Sequence, residues 1–496
     1  MRILLVRPIA PNERFGLGPF FRVEPLGMEY VGAALEARGH AVSLVDLRFS
    51  SGLDLRLDLG IRGLRERALD RALDRFRPDL VGVAAAHTLE TNEAIAVARA
   101  VKRTLPGAFV VLGGHAAAVH PAPFEIPSVD AICCEDGEQV IPLLADALSE
   151  DRDPIDCPGL RLRAGDRFVS TKKSEERVGL DLVPLPARHL VKAYEREFLC
   201  LNFRPVQLVE TARGCPYRCS FCTIWRHVER SYRCRDIAHV VKDLASVGPH
   251  VFLVDDLFFH PIARSRDLAR TLLSKGVHKR WALVQTRTDL VARHPDLLEE
   301  WRPFAHYFDI FFGFESPTNE GLSDYSKDSG LAETEEAVAV CKRLGFGITG
   351  NFIIDPDWTE DDFRRLWDFI ARLGIWRAGF TIMTPLPGTP LFDRLQGRIL
   401  ERDWSRFDMH HLLWEPRLGR RRFFELFAEC WKRTVLNARG DRKRLFSWLR
   451  GLEWTQVPTM ARVLLRTQRM MDPEAYLRET FAPPRPAEVD VPARLA

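Results

Sequence analysis

Three cysteines in one short loop constrain this chain more than any other feature. Cys215, Cys219 and Cys222 stand in the run Thr-Ala-Arg-Gly-Cys-Pro-Tyr-Arg-Cys-Ser-Phe-Cys, a C-x3-C-x2-C spacing. Three thiolates are one short of a closed tetrahedral site. A catalytic metal keeps such a vacancy and a structural one does not. A [4Fe-4S] cluster held by three cysteines leaves one iron open to a substrate or cofactor. The apolar stretch Val206-Gln207-Leu208-Val209-Glu210 precedes the loop and reads as a strand. The loop then leaves the carboxyl end of a strand, where α/β folds collect their chemistry. The competing reading is a zinc site closed by Cys234 or His227. Structural zinc favours paired C-x2-C knuckles, and no second pair follows here.

A length of 496 residues leaves room for two or three domains. Basic and acidic residues nearly cancel, 71 against 68, which argues against a nucleic-acid binder driven by bulk charge. The start, Met-Arg-Ile-Leu-Leu-Val-Arg-Pro, is a short strand and not a secretory signal. No apolar run reaches the roughly 18 residues of a membrane span. Ten cysteines in a chain this long do not make a secreted disulfide framework. A reducing cytoplasm is expected, as an oxygen-sensitive cluster requires. Cys133, Cys134, Cys157, Cys200, Cys341 and Cys430 lack ligand spacing and read as small buried hydrophobes.

Residues 1–150 alternate strand and helix signals. Ile3–Val6, Ala41–Val45, Leu80–Ala85, Phe109–Leu112 and Ala131–Cys133 are strand-like, with helical pattern in Leu26–Ala37 and Glu93–Arg103. Continuous apolar strands separated by helices indicate a doubly wound parallel sheet covered on both faces. Such sheets bind ligands at the carboxyl ends of their strands. Two groups stand there: Gly113-Gly114-His115, and Glu135-Asp136-Gly137-Glu138. Each alone is no more than a turn; glycine also lets backbone approach a ligand closely.

Residues 151–195 read as a connecting segment, with a small hairpin over Arg161–Ser170. From 196 to 395 strands and helices alternate again, as a partial (β/α)6 barrel. Polar residues recur at the strand ends: Asp255 and Asp256, Glu315, Asn351, Asp355 and Thr384. Barrel enzymes gather active-site groups at such ends. Asp256 and Asp355 read as solvated loop residues, and the aromatic residues Phe311 and Phe312 as core. From 396 to 480 the pattern is helical. Phe423–Trp431 has helical periodicity, and Arg442–Arg450 is a basic amphipathic run that fits either a helix packed on the barrel or contact with a membrane surface. The proline-rich tail, 481–496, reads as disordered.

The cysteine motif, with Phe221 in the aromatic position before Cys222, resembles the radical S-adenosylmethionine (SAM) superfamily. The two strand-end groups upstream resemble the cobalamin-binding domain of its B12-dependent branch. That resemblance implies three cofactors: a [4Fe-4S] cluster on Cys215, Cys219 and Cys222, SAM, and cobalamin. It implies SAM contacts at Phe221, Asp255, Glu315, Asn351 and Thr384, and cobalamin contacts at Gly113, Gly114, His115, Gly137 and Glu138. The D-x-H-x-x-G motif of methionine-synthase-type proteins is absent; Asp408-Met409-His410 begins like it, but Leu413 replaces the glycine. The implied reaction is C-methylation of an unactivated carbon. The phrases Gln285-Thr286-Arg287-Thr288-Asp289-Leu290, Thr349-Gly350-Asn351-Phe352, Asp408-Met409-His410-His411 and Trp414-Glu415-Pro416-Arg417 are similar to the hopanoid C-3 methylases. They imply a hopanoid lipid substrate, an electron donor such as flavodoxin or ferredoxin, and peripheral contact with the inner membrane. The alternatives are the same chemistry on a chlorin, a natural product or a phosphinate; oxidative ring closure; and a cobalamin sensor with a structural metal. A tRNA methylthiotransferase would need cysteines ahead of Cys133, and there are none.

Overall fold

The computed structural model describes residues 1–9, 21–49, 62–200, 203–228, 231–375, 377–435 and 468–479. Apolar strands alternating with helices build two mainly parallel sheets, each buried on both faces. The first part of the chain supplies β1 (Arg2–Arg7), β2 (Phe21–Arg22), β3 (Ala41–Asp46), β4 (Leu80–Ala84), β5 (Phe109–Gly113), β6 (Ala131–Cys133), β7 (Leu160–Ala164) and β8 (Arg167–Ser170). Seven of them form one sheet in the order β3-β1-β4-β5-β6-β7-β8. The order reverses between β1 and β4, which makes the carboxyl edge there a topological switch point, the usual ligand crevice of doubly wound sheets. The hairpin expected over Arg161–Ser170 is present as β7 and β8. It extends this first sheet, because β7 pairs antiparallel with β6.

The second part supplies β9 (Leu199–Cys200), β10 (Gln207–Val209), β11 (Ala212–Gly214), β12 (Tyr232–Cys234), β13 (His250–Leu253), β14 (Lys279–Thr286), β15 (Ala305–Glu315), β16 (Gly347–Ile354) and β17 (Ala378–Ile382). Six of these form a parallel arc, β10-β13-β14-β15-β16-β17, the expected partial barrel. Successive side chains point to opposite faces. Val251, Val284, Ile310, Phe312, Phe352 and Phe380 turn outward to the helices. Trp281, Leu283 and Phe311 turn inward. Leu26 and Tyr30, on the helix Leu26–Glu36 of the first domain, pack on Leu208, Phe252 and Val254 and so close the β10 side of the arc. The first domain is thus part of the barrel wall.

After the barrel, the helix Arg420–Val435 packs Phe423, Phe424 and Phe427 against the same outer core, and Tyr476 stacks on Phe424 at 5.2 Å. The basic run Arg442–Arg450 and the tail after 481 lie outside the described residues. Among the described residues no helix is long and apolar enough to cross a membrane.

Candidate cluster and cofactor site

The cysteine loop is tied at its base by a hairpin that has no local signal in the sequence. β11 pairs antiparallel with β12, setting Gly214 opposite Tyr232 and Ala212 opposite Cys234. Gly214 has φ +105°, and a Cβ there would lie 2.0 Å from the Ser231 carbonyl oxygen, so only glycine closes this hairpin. The loop is then pinned from both sides. The Ser220 amide donates to the Tyr325 carbonyl and the Leu391 amide to that of Ser220, each at 2.9 Å. Phe221 sets its ring edge-on to Tyr325 at 5.6 Å. Within the loop, the Trp225 indole donates to the Cys219 carbonyl at 3.0 Å.

Burial raises all three thiols, Cys215 to about 11 and Cys222 to about 12. Held as thiolates, they would need an electrophilic partner. The protein already aims donors at each sulfur. The Tyr217 amide points at Cys215 and the Ile224 amide at Cys222. The Arg287 guanidinium reaches Cys219 Sγ at 3.9 Å. Cys234 and His227 do not complete the set: Cys234 faces Arg264 and Asp255, and His227 lies edge-on to His115 at 5.0 Å. Among the described residues no three His, Cys, Asp or Glu side chains converge on a single ion. A four-iron cluster does not need that, since each thiolate takes a different iron. Three thiols with directed donors, and no fourth ligand among the described residues, fit a cluster with one open iron.

The barrel-side residues divide. Asp255 accepts from the Thr211 amide and hydroxyl, both at 2.6 Å, and burial pushes it up to about 7. It locks the turn after β10. Asp256 accepts from the Gly214 amide at 2.8 Å, so it braces the hairpin and is not the solvated loop residue its sequence context suggests. Glu315, at φ +61° beside a bulge in β15, is buried and pairs with Lys327 at 2.9 Å. Asn351 donates to the Thr381 hydroxyl at 2.8 Å, while its Oδ1 is buried with no partner. Thr349 Oγ1, two residues earlier on the same face, is likewise unpartnered. Two orphan acceptors on the inward face suit a polar ligand such as SAM. Thr384 donates to the Ile382 carbonyl at 3.0 Å. A cavity of ≈ 300 Å³ opens at these strand ends, lined in part by Tyr325, Ile353, Asp355, Met383, Arg398 and Trp414.

The first domain turns its switch-point edge toward the loop. Gly114 has φ +124°, and a Cβ would meet the Ala85 carbonyl oxygen at 2.7 Å. The Gly113-Gly114 pair thus lets β5 end tight against β4. His115 follows and its Nε2 hydrogen-bonds the hydroxyl of Thr223, the residue after Cys222. Burial holds His115 down to about 3 and His227 to about 4. His87 and Gly114 keep accessible surface. Both stand just beyond the carboxyl ends of β4 and β5. Neutral imidazoles and bare backbone suit a flat macrocycle such as cobalamin.

Gly137 packs within the first domain, and Glu138 joins the domains. A Cβ at Gly137 would crowd Val31 at 3.1 Å, so glycine lets two helices lie close. Glu138 pairs with Arg213, two residues before Cys215. Arg213 also grips Glu210 at 2.8 and 3.0 Å. Asp136 accepts from Arg233 at 2.7 Å and from Arg177 at 3.2 Å. Burial would raise Asp136, but Arg213, Arg233 and Arg177 hold it below the usual carboxylate range. No spacing announces this network; its members come from four separate stretches of chain.

Comparison with known proteins agrees with this geometry. Residues 19–145 match the B12 binding domain family and residues 209–370 the Radical SAM superfamily. The chain is 29% identical over 411 residues to "Hopanoid C-3 methylase" of Methylococcus capsulatus (strain Bath), covering 82% of this chain and 75% of the relative. Two solved structures share the fold. One is the radical S-adenosylmethionine methyltransferase TsrM from Kitasatospora setae, with cobalamin and [4Fe-4S] cluster bound (TM-score 0.61, 21% identity, 79% of this chain and 76% of that one). The other is the cobalamin-dependent S-adenosylmethionine radical enzyme OxsB, with aqua-cobalamin and S-adenosylmethionine bound (TM-score 0.68, 16% identity, 95% and 71%).

Proposed function

The chain belongs to the cobalamin-dependent radical SAM methyltransferases, and from that premise we propose that it methylates an unactivated ring carbon of a triterpenoid, C-3 of the hopanoid A ring. The observation that carries this reading is the similarity to a hopanoid C-3 methylase through both domains. When bound, SAM on the cluster supplies a radical and cobalamin a methyl group, the two reagents an inert C–H bond requires. The chain's own residues bind, orient and exclude water. Cys215, Cys219 and Cys222 hold the cluster, and Phe221 anchors their loop. Glu315, Asn351 and Thr384 contact SAM, with Asp255 fixing the strand end beside them. Gly113, Gly114 and His115 form the cobalamin edge, Gly137 lets the helix behind it pack close, and Glu138 holds that edge against the loop through Arg213. The inward Trp281, Leu283 and Phe311 keep the arc dry, which strengthens every electrostatic contact within it. A small electron donor such as flavodoxin or ferredoxin supplies reductant. We place the enzyme in a reducing cytoplasm, in peripheral contact with the membrane that holds its lipid.

The test is anaerobic. The protein is loaded with iron, sulfide and cobalamin, then given SAM, reductant and diploptene. A 3-methylated hopanoid with both 5′-deoxyadenosine and S-adenosylhomocysteine supports the reading, and Cys219→Ser should abolish all three. SAM cleavage without a methylated hopanoid discards the substrate. A fully loaded cluster that yields no 5′-deoxyadenosine discards the radical chemistry.

A further inference from the structure

Arg287 follows β14 directly, and only 6% of it is exposed. Its guanidinium is fixed on three sides. Nε donates to Asp289 at 2.8 Å, Nη2 donates to the Asp328 carbonyl at 2.8 Å, and the ring of Tyr217 lies 3.7 Å beneath it. The remaining nitrogen, Nη1, reaches Cys219 Sγ. The three sulfurs are therefore not equivalent. Cys215 and Cys222 take neutral backbone donors, and Cys219 takes a charged one held in place by its neighbours.

Asp289 lies at the Nε side of the guanidinium, and Arg293 shares that carboxylate at 3.7 Å. Arg293 is itself paired with Glu333 at 2.6 Å, so these four charges cancel overall, but the Arg287–Asp289 pair turns its positive end and an N–H to the sulfur, beside the Lys327 ammonium that also favours negative charge on Cys219. An iron–sulfur cluster becomes more negative when it accepts an electron. A positive charge and an N–H bond at a ligand sulfur favour that state, and a buried site magnifies the effect. We propose that Arg287 is a positioning residue that, through Cys219, raises the reduction potential of the cluster. The inference rests on the cluster reading above and extends it to how electrons enter.

The full chain, loaded anaerobically with iron and sulfide and without SAM or substrate, is titrated electrochemically with EPR detection. Wild type, Arg287→Gln and Arg287→Lys are compared. At a fixed applied potential the reduced-to-oxidised ratio should fall about tenfold in Arg287→Gln, which is about 59 mV for one electron. Arg287→Lys keeps the charge but loses the planar fork, and should fall between the two. A fully loaded Arg287→Gln at the wild-type potential overturns the proposal. Should that variant fail to take up iron, wild type labelled with guanidino-15N arginine decides. Pulsed EPR of its reduced cluster must show a 15N coupling that Arg287→Lys lacks, and absence of the coupling overturns the proposal. A wild-type protein that forms no cluster removes the functional reading and this inference together.

Discussion

Glu29 should make the protein less stable as pH rises, and Glu29→Gln should remove that dependence. Glu29 lies on the helix Leu26–Glu36 with no exposed surface, and neither carboxylate oxygen has a hydrogen-bond partner. Burial, reinforced by the charge of Glu24, pushes it up to about 9; Arg188 and Arg7 oppose the rise. In the unfolded chain it titrates near its ordinary 4.5. Its stability contribution is thus fully present below the unfolded value and is lost as pH rises toward the folded one. Each pH unit inside that window costs about 1.4 kcal/mol. From pH 5 to pH 8 the wild type should lose up to about 4 kcal/mol that the neutral amide does not. Glu24, pushed by burial to about 7, acts with the same sign in both proteins and largely cancels. The assay is the melting temperature of both proteins at the two pH values by far-UV circular dichroism. With roughly 2–4 °C per kcal/mol for a domain of 150–250 residues, the amide's advantage should grow by about 8–16 °C at the higher pH if the full ~4 kcal/mol is expressed. Any packing cost of the amide is common to both pH values and drops out. An advantage that is the same at both would refute the reasoning.

Other perturbations test the architecture. Gly114→Ala forces a Cβ to within 2.7 Å of the Ala85 carbonyl and should weaken cobalamin retention at least tenfold by equilibrium dialysis, whereas Gly107→Ala, with nothing within 4 Å, should not. Gly214→Ala meets the Ser231 carbonyl and should leave a folded chain unable to hold iron and sulfide, read by metal analysis beside the melting curve. Asp136→Ala strands Arg177 and Arg233 and should cost about 3–5 kcal/mol in urea denaturation, with Asp136→Asn milder. Because arginines hold Asp136 below the usual carboxylate range, its contribution should be present at neutral pH and fade on acidification. A loss under 1 kcal/mol at neutral pH would count against an interdomain clamp.

Local order was legible in the chain because it depends on neighbours in sequence. The six barrel strands follow from apolar runs such as Gly347–Ile354, which begins and ends where its residues suggest. The three-thiol loop follows from one spacing. The reach of the first domain was less legible: the hairpin at Arg161–Ser170 gives its own turn away, yet nothing in its residues says which sheet it joins.

The sequence by itself determined two layered α/β units and a three-thiolate loop at a strand end, because periodicity and ligand spacing act within a few residues. Tertiary structure alone decided what surrounds that loop. Arg287 meets Cys219 across 68 positions, His115 meets Thr223 across 108, and Arg213 meets Glu138 across 75. Such contacts arise when sheets and helices bury their apolar faces and carry polar side chains together, and no short window of residues encodes the partner.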